Sequence, residues 1–111
     1  MRIVFLTLTI ILLTSPLFGG SHQPANLYSW ETVSGIVWKG FGDKDINPQY
    51  LGEVDKGKPN GVGILVYPDG DKYVGEWKKG KPWNGWIYDN INTELKKYAN
   101  GKVVVDLIKS N

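Results

Sequence analysis

Apolar residues follow two different patterns along the chain. Ile3 to Leu13 is apolar throughout except for two threonines, whereas from about residue 33 apolar residues come in short runs between turn-forming residues. In Tyr73-Val74-Gly75-Glu76-Trp77, a strand would put Tyr73, Gly75 and Trp77 on one face and Val74 and Glu76 on the other. Further runs rich in β-formers lie at 50–54, 62–67, 72–77 and 102–108. Turn signals separate them: Asn60-Gly61, Pro68-Asp69-Gly70, Asn84-Gly85 and Asn100-Gly101. Asn and Gly tolerate positive φ, so the pattern predicts hairpin turns at these pairs. Glu94 to Ala99 has room for one helical turn, too short to stand alone. The pattern therefore predicts a mainly β protein, an antiparallel meander of short strands behind an N-terminal hydrophobic segment.

That segment reads as a secretory signal. Met1 and Arg2 supply a positive start, the apolar run follows, and Thr14-Ser15-Pro16 breaks it before Gly19-Gly20-Ser21. An apolar helix over residues 3–13 would rise only about 16 Å, too short for a ~30 Å hydrocarbon core. Cleavage after Ser21 puts Gly19 at the minus-three position, as the small-residue rule requires. The expected organisation is a signal over 1–21, an N-terminal segment over 22–34 and a β domain over 35–111. Export through a Sec-type route to the periplasm or the cell exterior follows, with association with the envelope or a retained membrane tether as variants.

Composition narrows the function. There are 14 Gly, 5 Trp and 6 Tyr but no Cys, which removes disulfides, thiolate metal sites and thiol nucleophiles. A single His, His22, makes multi-histidine metal sites impossible. Beyond Arg2 every basic residue is Lys, interleaved with Asp and Glu, so nucleic acid is not an expected partner.

Internal repetition is the strongest signal. Tyr50-Leu51-Gly52-Glu53 to Lys58-Pro59 returns as Tyr73-Val74-Gly75-Glu76 to Lys81-Pro82, with Tyr, Gly, Glu, Gly, Lys and Pro in the same places. Trp83 then stands as one inserted residue before Asn84-Gly85. Such a period marks an array of small supersecondary units. Tyr50, Gly52, Gly57, Gly61, Gly63, Asp69 and Gly70 resemble one complete MORN (membrane occupation and recognition nexus) repeat, and Tyr73, Gly75, Trp77, Gly80 and Gly85 begin a second. Ile87 then occupies the place expected for the second Gly of Gly-x-Gly, and Asn100-Gly101 reads as a late echo of Asp-Gly. Upstream, Gly40-Phe41-Gly42 resembles the end of a preceding repeat. The Gly-Lys-Pro-Trp-Asn-Gly stretch at 80–85 is similar to endings in small exported bacterial proteins. The resemblance implies a single-layer antiparallel meander of MORN-type β-hairpins, with aromatic rings lying over glycines. Val62, Ile64 and Val66 would face the other way and would need cover from 22–49 or from the C-terminal strand.

Residues with chemical potential are few. Asp43-Lys44-Asp45-Ile46-Asn47 starts like a calcium loop, but Pro48 and Val54 stand where a Gly and a bidentate Glu are required. Glu53 and Glu76 sit at equivalent repeat positions, which suits a solvent face better than the close, buried pair of a glycosidase. No catalytic residue, metal site or cofactor is expected. Trp83, Trp86 and Tyr88 are the candidate binding residues, as an exposed aromatic platform, with capping of the array as the competing role for Trp83. The Lys78, Lys79 and Lys81 group would attract an anionic membrane only weakly. The expected function is a non-catalytic, exported protein-interaction or scaffold module, self-associating through its sheet edges or docking an unidentified protein. The alternative is binding of glycan or the envelope surface through Trp83 and Trp86.

Overall fold

The computed structural model describes residues 24–108, so the signal segment expected over 1–21 and His22 lie outside the described residues. Eight strands form one antiparallel sheet: β1 (Pro24–Thr32), β2 (Gly35–Lys39), β3 (Gln49–Asp55), β4 (Lys58–Val66), β5 (Lys72–Lys78), β6 (Lys81–Tyr88), β7 (Glu94–Ala99) and β8 (Lys102–Asp106). Their order across the sheet is β2-β1-β3-β4-β5-β6-β7-β8. From β3 onward this is a plain meander. At the start, β2 folds back on the outer side of β1, and residues 40–48 return past β1 to lay β3 on its other side. Strand β1 falls within the segment 22–34, which therefore shares the sheet with the residues after it.

Three hairpins close through two-residue turns with both central residues at positive φ: Lys56-Gly57, Lys79-Gly80 and Asn100-Gly101. These are type I′ turns, whose twist matches that of the strands they join. The turns expected at Asn60-Gly61 and Asn84-Gly85 are not there, because both pairs lie inside strands β4 and β6. Their Asn side chains act between hairpins instead. Asn60 Oδ1 accepts from the Lys79 N–H at 2.9 Å, and Asn84 Oδ1 from the Asn100 N–H at 2.9 Å. Each Asn thus holds the first residue of the next turn, and Asn100-Gly101 repeats Lys79-Gly80 rather than Asp69-Gly70. Glu94–Ala99 is strand β7 rather than a helical turn, since β6 and β8 supply hydrogen-bonding partners on both sides.

One face carries the core. Gly52, Gly63, Gly75 and Gly85 stand in register across β3 to β6 as an unbroken glycine row. The Tyr50 ring lies over Gly52 and Gly63, where a Cβ on Gly63 would run into it, and Tyr73 lies likewise over Gly75 and Gly85. Each phenol then donates to the backbone three residues ahead: Tyr50 to Glu53 O at 2.5 Å, Tyr73 to Glu76 O at 2.7 Å. Both tyrosines are fully buried, and Trp77 and Leu65 complete the buried cluster. Edge-to-face contacts at 5.0–6.0 Å join Trp38, Tyr50, Trp77, Tyr73 and Tyr98 into one ladder. Burial of ~150–250 Å² per aromatic is how a single layer acquires a core.

The register also corrects the reading of the second repeat. Gly85 pairs with Gly75 as Gly63 pairs with Gly52, and Ile87 pairs with Tyr73 as Leu65 pairs with Tyr50. Ile87 is therefore the counterpart of Leu65 and not a lost glycine. Trp83 is extra when counted to Asn84, but two residues are missing between Asn84 and the glycine that underlies the tyrosine. Gly40-Phe41-Gly42 lies in the returning loop, outside any strand, unlike Gly61-Val62-Gly63. The cover expected for the opposite face is absent among the described residues: Val62, Ile64 and Val66 are 62%, 39% and 43% exposed.

Candidate functional site

The aromatic face supports a groove of about 990 Å³ between the N-terminal hairpin and the β4–β6 region. Trp38 and Trp77 form its floor, in edge-to-face contact at 5.9 Å, and Leu65 and Tyr67 continue the apolar wall. Trp77 is fixed by its indole N–H, which donates to Gly63 O at 3.2 Å. Trp38 is placed by β2, whose register sets it opposite Ser29. On the far wall Asn47 locks the returning loop. Its Nδ2 donates to Ser29 O at 3.1 Å, and its Oδ1 accepts from Asp43 N at 3.0 Å. Asp43 Oδ1 accepts in turn from Asp45 N, so this acidic stretch is a self-bonded turn. Lys58, Lys79 and Lys81 stand at the rim against a single carboxylate, Glu31. The groove thus pairs an apolar aromatic floor with a cationic edge, a combination that receives apolar and acidic side chains together.

The three residues expected to form a platform are divided. Trp83 is half-buried and ties β6 to the last hairpin: its N–H donates to the Tyr73 hydroxyl at 3.2 Å and its O accepts from Gly101 N at 3.0 Å. Its ring lies against the Asn100-Gly101 turn, with Lys78 Nζ 4.4 Å from the ring centre. Trp83 thus covers the turn of the last hairpin, β7–β8. Trp86 and Tyr88 lie on the sheet face opposite the groove, where Trp86 stands beside Val74 in register and under Lys97 at 5.9 Å. Among the described residues no ring contact joins Trp83 to Trp86 or Tyr88. The basic group divides too: Lys79 and Lys81 line the groove, whereas Lys78 covers Trp83.

Trp38, Tyr67 and Lys58 were missed as site residues because the groove joins segments far apart in sequence. The available signal was the β-forming run Gly35–Lys39, with its Trp next to the end. Tyr50 and Tyr73 hydroxyls are pushed up to about 12, by burial first and by Glu53 or Glu76 after it, with the Trp83 N–H partly opposing this at Tyr73. Tyr67 is raised by burial and then by Tyr98, Asp69 and Asp71. These are structural phenols. Among the described residues no three metal-ligating side chains gather, and no helix is long and apolar enough to cross a membrane.

Residues 50–72 and 73–83 match the family model of the MORN repeat. The match begins at the tyrosine over the first glycine pair and stops at Trp83, where the spacing of the second copy changes. No curated protein matches the chain.

Proposed function

From a chain that carries MORN repeats over residues 50–83, we propose a non-catalytic module that docks a partner protein in the groove over Trp38 and Trp77. The observation that supports this most is the groove itself, an apolar floor bordered by Lys58, Lys79 and Lys81. Its partner would be an extended segment bearing apolar and acidic side chains. Export is part of the proposal and rests on the pattern of residues 1–21. The mass of the protein delivered by the expressing cell tests it, with cleavage after Ser21 expected.

The docking test is affinity capture from an envelope extract of the source organism. The wild type runs beside a Lys79→Glu, Lys81→Glu variant and a Trp86→Ala variant, each checked for folding by circular dichroism. Enrichment of one protein by the wild type and the Trp86 variant, with loss in the lysine variant, is the expected outcome. A second reading, glycan binding, draws on Trp86 and Tyr88, two residues apart on one half-exposed strand face. Retention of wall glycan that only the Trp86 variant loses would replace the docking proposal with it.

A further inference from the structure

The face opposite the groove is apolar at its centre and open there, with Lys97 reaching over Trp86 at its β7 side. Leu51, Ile64, Val74 and Trp86 stand in register across β3 to β6 as one cross-strand row. On β4, Val62 and Val66 flank that row. On β5, Glu76 and Lys72 flank it at the same two levels, since Val62 pairs with Glu76 and Val66 with Lys72. An apolar sheet face of this kind ordinarily packs against a second layer.

The charges say which layer fits. A two-fold axis along the row, lying between two copies, superposes each strand on its own counterpart and exchanges the two flanks. Ile64 and Val74 then meet themselves, Val66 meets Val62, and Lys72 of each copy meets Glu76 of the other, while Lys97, next to Trp86 in the row, faces its own counterpart at the β7 side, beyond the apolar centre. The other in-plane two-fold, parallel to the strands, would keep Glu76 on the Glu76 side and gain no charge pairing. Within one copy Lys72 Nζ donates to Asn92 Oδ1 at 2.7 Å, and Glu76 Oε1 accepts from Asn84 Nδ2 at 2.8 Å. Both partners are neutral, and the one ion pair among the described residues is Lys44–Asp45. An anionic lipid surface would favour a single sign of charge, which this face does not present.

We propose that this face is a self-association surface, two copies packing sheet on sheet about a two-fold axis along the Ile64–Val74 row. The strands would run within about 30° of each other and the layers lie ~10 Å apart, as in aligned sheet packings. Four strands ~4.8 Å apart and three levels ~7 Å apart give an apolar centre of a few hundred Å² per copy. That is the lower end of specific interfaces, so the dimer is weak and depends on concentration. It leaves both grooves free, which gives a bivalent scaffold.

The test is sedimentation velocity on the full chain, purified without detergent in the form the expressing cell delivers, over a concentration series. Wild type is expected to pass from monomer to dimer. Lys72→Glu and Glu76→Lys alone should each weaken self-association by about tenfold, because each puts like charges opposite one another. An equal mixture of the two variants should recover dimer, since both carboxylates of the first variant then face ammonium groups of the second. Near-ultraviolet circular dichroism confirms that both variants fold. The absence of Cys allows a second readout: Val74→Cys lies on the axis and should cross-link to its own copy through a short bis-maleimide. A monomer at every concentration, single variants that dimerise like wild type, or a mixture that does not recover would each overturn the proposal. A monomer that co-sediments with phosphatidylglycerol vesicles would assign the face to lipid instead.

Discussion

At the scale of the residue, the fold rests on a tyrosine lying over two opposed glycines. Gly63 has no room for a methyl group because the Tyr50 ring occupies that space, whereas a Cβ on Gly40 would meet nothing. Gly63→Ala is therefore expected to cost about 2–3 kcal/mol and Gly40→Ala less than about 0.5, read from chemical denaturation. The phenol hydroxyls contribute separately. Tyr50→Phe and Tyr73→Phe should each lose about 1 kcal/mol, the net value of a hydrogen bond to a main-chain carbonyl. Both folded-state pKa values lie near 12, above the ordinary value of 10.0. The neutral phenols therefore favour the folded state fully below about pH 10, and that stabilisation falls away as pH rises toward 12. Alkaline titration followed by tyrosinate absorbance should show these two phenols ionising together with unfolding, not before it.

At the scale of the element, hairpins are joined by asparagines reaching from one strand to the next turn. The Asn-Gly pairs were legible as special positions, but their role was not. A turn signal in sequence reports tolerance of positive φ. Whether an Asn uses that tolerance or serves as an acceptor depends on the strand beside it. Asn84 is the sharper case, since it accepts from Asn100 N and donates to Glu76 Oε1. Asn84→Ala should release the β7–β8 hairpin, raising amide exchange there by about fivefold to tenfold while β3 to β5 keep their protection. The Trp83 ring against Gly101 belongs to the same joint, so Trp83→Ala should act on stability before it acts on any ligand.

At the scale of the whole molecule, a single sheet presents two unlike faces. One is the aromatic ladder with its lysine-rimmed groove, and the other is the uncovered aliphatic row. The two proposals separate because they lie on opposite faces. Lys79→Glu, Lys81→Glu should abolish partner capture and leave the sedimentation profile unchanged. Lys72→Glu should do the reverse, apart from lost avidity. A single variant that removed both would point to a folding defect, which denaturation would reveal.

The sequence by itself determined the strand-forming alternation, the Tyr-x-Gly pairs and the period near twenty-three. All of these are local, set by which side chains a pleated chain can present to one face. The resemblance to the repeat also marked Tyr50, Tyr73 and Trp77 as structural, because it implies rings lying over glycines. Only the tertiary structure decided the register that makes Gly85 the partner of Gly75, the crossing that brings Trp38 to Trp77, and the exposure of Val62, Ile64 and Val66. Each of these is a relation between segments far apart in the chain. Spacing fixes which residues share a strand face, but a slip of one residue in pairing exchanges those faces, and only the assembled sheet selects the pairing.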